Sequence, residues 1–180
     1  MTQSKKISAP ELEKSALKYI GKYATSIENL RKVLIRRIER SKNYKEIAPE
    51  EAKQWIDIII KKFTDANLLN DSVFAINRAK NLHRSGASRK KIIIVLKNKG
   101  INKLEINLAL NSLDSEFKNT ELEAALNYVR RKRLGPYRPN DERKALRKKD
   151  LAKLAREGFL YSDAIKVIDI ESLEEVKKLV

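Results

Sequence analysis

Apolar residues recur along this chain at three- and four-residue spacings with few interruptions, and that period belongs to the α-helix. After Pro10 they fall at Leu12, Ala16, Tyr19, Ile20 and Tyr23; after Ser26 at Leu30, Leu34 and Ile38; after Pro49-Glu50-Glu51 at Ala52, Trp55, Ile56, Ile59 and Phe63. Pro10 suits a first turn because its missing N–H would be unpaired there anyway. Ser26 has the side chain of an N-cap, and Glu50 and Glu51 put carboxylates at the positive end of their helix. Asn67 is the expected stop, since Asn tolerates the left-handed conformation beyond a helix end. Five glycines and four prolines in 180 residues leave too few turns for a sandwich or barrel. The expected fold class is all-α.

The pattern continues in the rest of the chain. Asp71 is an expected cap for a helix through Phe74, Ala75, Ala79 and Leu82, ending near Gly86. Ser88 caps the next, with Ile92, Val95 and Leu96 inward and Gly100 as its stop; Asn102 caps one with Ile106, Ala109, Leu110 and Leu113 inward. A further helix starts near Thr120, carries Leu122, Ala125, Leu126 and Val129, and is broken by Gly135-Pro136. Pro139-Asn140-Asp141 reopens a helix to Gly158, and Ser162 is the expected cap of a last one through Ile165 and Ile168. About nine helices thus fall into three groups of three. Ser26 to Arg37 and Ser88 to Lys99 both read as a capping Ser, apolar residues four and eight positions later, then a basic end. Lys99-Gly100-Ile101 and Glu157-Gly158-Phe159 form a second echo. The reading is a tandem array of three three-helix, helix-turn-helix-like repeats, elongated and curved, each gaining stability from its neighbours. Its segments are a disordered tail over 1–9, repeats over 10–69, 70–117 and 118–170, and an acidic helix or tail over 171–180.

Residue inventory narrows the chemistry. Without cysteine there is no disulfide, thiolate nucleophile or Cys-ligated metal, and His83 is the only histidine. His83, between Leu82 and Arg84, reads as a surface residue, while Trp55 and Phe63 share a stripe with isoleucines and read as core. No Gly-rich phosphate loop, Walker motif, metal-ligand spacing or isolated carboxylate pair occurs, so no catalytic residue, cofactor or metal is expected. The start Met-Thr-Gln-Ser-Lys-Lys lacks a signal-peptide core, and the longest aliphatic run, Ile92 to Leu96, falls far short of the roughly 20 residues that span a bilayer. A soluble, cytoplasmic, monomeric protein without membrane contact is expected.

Charge carries the functional signal. Forty Lys and Arg against 24 Asp and Glu give +16, a balance that attracts polyanions. Arg78 to Lys99 holds eight basic residues and no acid. A solvated helix face explains any single cation, but like charges crowded on one face repel and call for a polyanionic partner. The candidate nucleic-acid or filament contacts are Arg31, Arg36 and Arg37; Arg84, Arg89, Lys90, Lys91, Lys97 and Lys99; Arg130, Arg131, Lys132 and Arg133; and Arg147, Lys148 and Lys149. Tyr137, in Gly-Pro-Tyr-Arg-Pro, either pins its loop or stacks on a partner.

Four motifs occur in order along the chain. Leu68-Leu69-Asn70-Asp71 followed by Phe74-Ala75 resembles the "Gly-Leu-Leu-Asp-Asp, then Phe-Ala" signature of the RecX family, regulators of the RecA recombinase. Gly86, Ser88, Ile92, Leu96 and Lys99-Gly100-Ile101 match its "Gly, then Ile, Leu, Lys-Gly-Ile" pattern. Arg156-Glu157-Gly158-Phe159-Leu160-Tyr161, then Ile165, is similar to its "Arg-x-Gly-Phe-x-Tyr, then Ile" ending, and Ser26 with Glu28 and Leu30 resembles the first-repeat motif. The resemblance spans about residues 12 to 168. It departs at Asn67, where the family has glycine, and at Gly135-Pro136-Tyr137-Arg138-Pro139, a longer and stiffer connection. It implies an all-α array of three three-helix repeats that binds in the groove of the RecA–DNA filament, with single- and double-stranded DNA met through the backbone. It further implies that the protein limits ATP hydrolysis, strand exchange and filament growth.

The alternative from the residues is a helix-turn-helix transcriptional regulator. Arg84 to Lys99 would be its recognition segment, but a polar face of almost pure Lys and Arg reads phosphates better than base edges. A nuclease fails on inventory, since the acids form no convergent metal site.

Overall fold

The computed structural model describes residues 6–179, and every regular element among them is helical. In chain order these are α1 (Ala9–Ile20), α2 (Ile27–Glu39), a 3₁₀ turn (Tyr44–Glu46), α3 (Pro49–Asp65), α4 (Asp71–Arg84), α5 (Arg89–Asn98) and α6 (Lys103–Glu116). They are followed by α7 (Thr120–Lys132), a 3₁₀ turn (Gly135–Tyr137), α8 (Asn140–Glu157), α9 (Tyr161–Ile168) and α10 (Leu173–Leu179). The tenth helix lies in the acidic end segment left open as helix or tail. None of the described helices is long and apolar enough to cross a membrane. Two compact units divide the chain, one reaching Phe74 and including Lys99–Ile101, the other formed by Ala75–Asn98 and the residues from Asn102 onward.

In the first unit, α1, α2 and α3 pack on one another. Leu30, Leu34 and Ile38, one turn apart on α2, are buried against Leu12 and Ala16 of α1 and Ile56, Ile59, Ile60 and Phe63 of α3. Each such side chain contributes on the order of 1.5–3 kcal/mol by leaving water. Trp55 is half-buried at the margin of this core. Of the expected tail, residues 1–5 lie outside the described residues; Ile7 is buried, and the Asn43 side chain bonds both its N–H and its C=O. Ser8 precedes α1, and its N–H donates to the Glu11 carboxylate. At the end of α3, Asn67 takes a left-handed φ of 55°, and the Leu68 N–H reaches back to the Phe63 carbonyl at 2.8 Å. That hydrogen bond satisfies a carbonyl that the helix end leaves unpaired.

In the second unit, α9 packs against both α7 and α8. The core takes Ala125 and Val129 from α7, Leu154 from α8 and Val167 and Ile168 from α9, with Leu134 and Phe159 from the connections. Val176 of α10 is buried on the same cluster. The buried residues of α4–α6 include Ala79, Ile92, Leu96, Ala109 and Leu113.

Three local expectations are corrected. Asn70, not Asp71, caps α4, accepting the Val73 N–H at 3.0 Å; the Asp71 carboxylate accepts the Ile27 N–H instead. Ser162 lies inside α9, whose N-cap position is Leu160 and carries no side-chain hydrogen bond. His83 is buried, its ring 4.2 Å from that of Phe117 and its Nε2 2.8 Å from the Thr120 carbonyl. The basic helix around it suggests a surface position, yet its helical phase with Ala75 and Ala79 turns it inward.

Candidate nucleic-acid interface

Two serines that open helices make the same set of contacts. The Ser26 hydroxyl accepts the Asn29 N–H at 3.2 Å and donates to the Lys99 carbonyl at 2.5 Å. The Ser88 hydroxyl accepts the Lys91 N–H at 3.1 Å and donates to the Glu157 carbonyl at 2.5 Å. The next backbone N–H is held by a carboxylate in both cases: Ile27 by Asp71 at 2.9 Å, Arg89 by Glu121 at 2.6 Å. Beside each serine a left-handed glycine approaches closely. A Cβ on Gly100 would lie 2.4 Å from the Glu28 Cβ, and one on Gly158 would lie 3.0 Å from the Ser88 hydroxyl and the Lys90 Cβ. Any other residue at Gly100 would clash there and strain the backbone. Gly86, Ser88, Gly100 and Gly158 of the sequence motifs are thus packing and capping positions, as are the buried Leu69, Ile92, Leu96 and Phe159. Of the other motif residues, Phe74 and Ile165 are half-buried, while Leu68 and Tyr161 are exposed.

These contacts carry the basic helices, and tertiary packing sorts the cations into two populations. In the first population a carboxylate sits within ion-pair distance. Arg31 meets Asp57 at 2.6 Å, Arg84 meets Glu116 at 3.1 Å, Arg89 meets Asp114 at 2.8 Å, Lys91 meets Glu157 at 3.7 Å and Arg147 meets Asp169 at 2.6 Å. The run from Arg78 to Lys99 lacks acids of its own, yet α6 and α8 supply them across the packing. Lys80 also binds Glu116, and its hydrogen bond is the main reason the Glu116 carboxyl is held below its usual range. The Arg147 hydrogen bond does the same for Asp169.

In the second population no described carboxylate is in reach. It comprises Arg36 and Arg37 on α2, Lys90 and Lys97 on α5, Arg131, Lys132 and Arg133 after the buried face of α7, and Lys148 and Lys149 on α8; all are exposed. Arg130 is exposed and bonds the Asn127 amide, and Lys99 donates to the Asn29 amide. Arg36 also donates to the Lys32 carbonyl. Arg130–Lys132 lie in the last turn of α7, where the helix dipole already favours cations, so part of their placement is structural. Arg133 has a left-handed φ of 52° and ends α7 before Gly135-Pro136 is reached.

On α8, Arg143 donates to the carbonyls of Ile170 and Glu171, and Lys144 lies one turn before Lys148. Arg143, Lys144 and Arg147 line a shallow recess of about 370 Å³ that faces Asp169 and Glu171. Tyr137 packs against the core cluster of the second unit, which supports the loop role over base stacking. Among the described residues no group of three or more His, Asp or Glu gathers where a metal ion could be held. An exposed ion pair is worth about 0–1 kcal/mol, so a phosphate can displace a carboxylate from the paired cations. A cation without a carboxylate partner requires no such exchange. Sequence reasoning had no signal for this division, because, apart from Glu28 three residues before Arg31, the neutralising acids come from 22 to 66 residues away.

Fold and charge define a strongly basic, all-helical protein that carries exposed cations, many without a carboxylate partner among the described residues, on its helix surfaces. The chain belongs to the RecX family of regulatory proteins. It is 38% identical over 166 residues to the regulatory protein RecX of Myxococcus xanthus, a match covering 92% of this chain and 88% of that one. RecX of Clostridioides difficile is 36% identical over 67% of this chain and 54% of its own, and RecX of Agrobacterium fabrum 25% over 89% and 83%. No protein-family model matches the chain, and no solved structure matches it.

Proposed function

We propose that this protein regulates the RecA recombinase, chiefly negatively, by docking on the RecA–DNA filament and limiting its ATPase activity, strand exchange and growth. The observation that carries the reading is the 38% identity to a regulatory protein RecX over 92% of the chain. Three helical repeats in tandem would offer contacts at several points along a filament, and the matching environments of Ser26 and Ser88 support such a repeat. The unpaired cations Arg36, Arg37, Lys90, Lys97, Arg131, Lys132, Arg133, Lys148 and Lys149 would meet phosphates, in single- or double-stranded DNA, by charge and not by base. Several weak contacts made together raise affinity steeply, and the filament shifts toward whichever state offers more of them.

The test measures RecA ATPase rate and filament length on single-stranded DNA, with and without the protein, at two salt concentrations. The expected result is a slower ATPase and shorter filaments, both less affected at the higher salt. A protein that neither binds the filament nor changes its ATPase rate overturns the reading.

A further inference from the structure

We infer that the first unit carries a second kind of docking site, an apolar groove with a basic rim that accepts an acidic amphipathic helix from a protein partner. The groove, of about 690 Å³, is bounded by the C-terminal half of α2, the 3₁₀ turn at Tyr44 and the N-terminal half of α3. Its floor is Ile38 and Ile56, which belong to the core of the unit. Its walls are Ile35 and Tyr44, which are 41% and 48% exposed. Leu30, Leu34 and Ile38 already complete the buried stripe of α2, so Ile35 lies one position off it, where a solvated helix would carry a polar residue. Large apolar side chains grouped around a concave surface mark a recognition site.

The rim decides the occupant. Lys45 and Lys53 line the groove and have no carboxylate within ion-pair distance among the described residues, while Glu39 is the acid that lines it. Arg31, also at the rim, is held by Asp57. A second copy of this chain would approach with the same +16, a net repulsion that its short acidic stretch at Glu171, Glu174 and Glu175 does not offset. Nucleic acid suits the cations but not the floor, since isoleucines neither bond phosphates nor stack on bases. An amphipathic helix answers both features, with apolar residues at three- and four-residue spacing laid into the groove and carboxylates on its flanks toward Lys45 and Lys53. This site is separate from the phosphate-binding role proposed above and stands without it.

The probe is a fluorescein-labelled helical peptide, rich in glutamate, with leucines spaced four and three apart on one face. Its control has the same composition, scrambled so that the leucines share no face. Fluorescence anisotropy with the full chain is expected to give a dissociation constant in roughly the micromolar range. Ile35→Gln should weaken binding by about tenfold, as should Lys45→Glu combined with Lys53→Glu. All three positions are exposed, so an unchanged urea midpoint separates lost binding from lost folding. No binding of the probe, equal binding of the scrambled peptide, or indifference to Ile35→Gln overturns the proposal. A single-stranded oligonucleotide whose own binding fell by the same factor in Ile35→Gln would assign the groove to nucleic acid and overturn it too. The RecA experiment is indifferent to these results, so the two readings fail separately.

Discussion

Arg138 grips Asp150 with two hydrogen bonds, Nε to Oδ2 at 2.7 Å and Nη2 to Oδ1 at 2.9 Å, and the same carboxylate accepts the Gly135 N–H at 3.1 Å. Asp150 is almost wholly buried. One side chain of α8 therefore holds both ends of the Gly-Pro-Tyr-Arg connection. Burial pushes the Asp150 carboxyl up, but the hydrogen bonds from Arg138 and Gly135 outweigh it and leave it below its ordinary value.

Asp150→Asn should destabilise the protein at neutral pH by about 2–3 kcal/mol, because it leaves a largely buried guanidinium with only the more exposed Glu142 carboxylate, 3.6 Å away, as an anion. Urea unfolding measures the loss, and a change near zero would refute the assigned role. The sign of the pH effect follows from the depressed folded-state value. The contribution is present in full above the ordinary carboxyl value of 3.8 and is lost as pH falls through the folded-state value. The variant's stability should therefore fall less steeply than the wild type's as pH drops from that ordinary value to the folded-state one. Glu121 acts in the opposite sense. Burial raises its carboxyl above the ordinary 4.5, so it opposes stability at neutral pH and ceases to do so as it protonates.

Ser26→Ala and Ser88→Ala should cost similar amounts, about 1–2 kcal/mol each, because each removes a helix cap and the donor to a distant carbonyl. The equivalence is the informative part. Thermal or urea unfolding that showed one substitution costly and the other neutral would refute the matching of their environments.

Arg133→Gly should leave stability unchanged or raise it by up to about 1 kcal/mol. It relieves a left-handed backbone worth roughly 1–2 kcal/mol and adds about 0.5–1 kcal/mol of unfolded-state freedom. The melting temperature reports this, and a clear decrease would show that the side chain holds α7 in place. Arg133→Ala keeps the strain without the charge and serves as the comparison.

The two populations of cations predict different salt behaviour. Replacing Lys90, Lys97, Arg131 and Lys132 by glutamine should lower the slope of log affinity against log salt on single-stranded DNA, by about 0.7 per lost phosphate contact. The same number of substitutions among the acid-paired residues (Arg84, Arg89, Lys91 and Arg147) should reduce the slope less and the stability more. Equal slopes in the two sets would mean that pairing has no bearing on the interface.

Helix positions, the stops at Asn67 and Gly158 and the caps at Ser26, Ser88 and Asn102 were legible because they depend on residues within about one turn of each other. The candidate interface was legible only as a list of cations. Lys90 and Arg89 are adjacent and chemically alike in the sequence, yet one is unpaired while Asp114 holds the other. Nothing local distinguishes them, nor Asp71 as a cap for its own helix from Asp71 as the acceptor for Ile27.

By itself the sequence determined that the chain is helical, strongly basic and marked by two echoes, one of a capping serine and one of a glycine, since period, charge and capping chemistry are properties of short stretches. The tertiary structure decided which cations keep their charge available, that His83 is buried, and that Ile35 and Tyr44 flank a groove. Those outcomes depend on which helix faces meet, and the meeting residues are tens of positions apart. The pairing of a side chain is set by packing, which the local pattern does not encode.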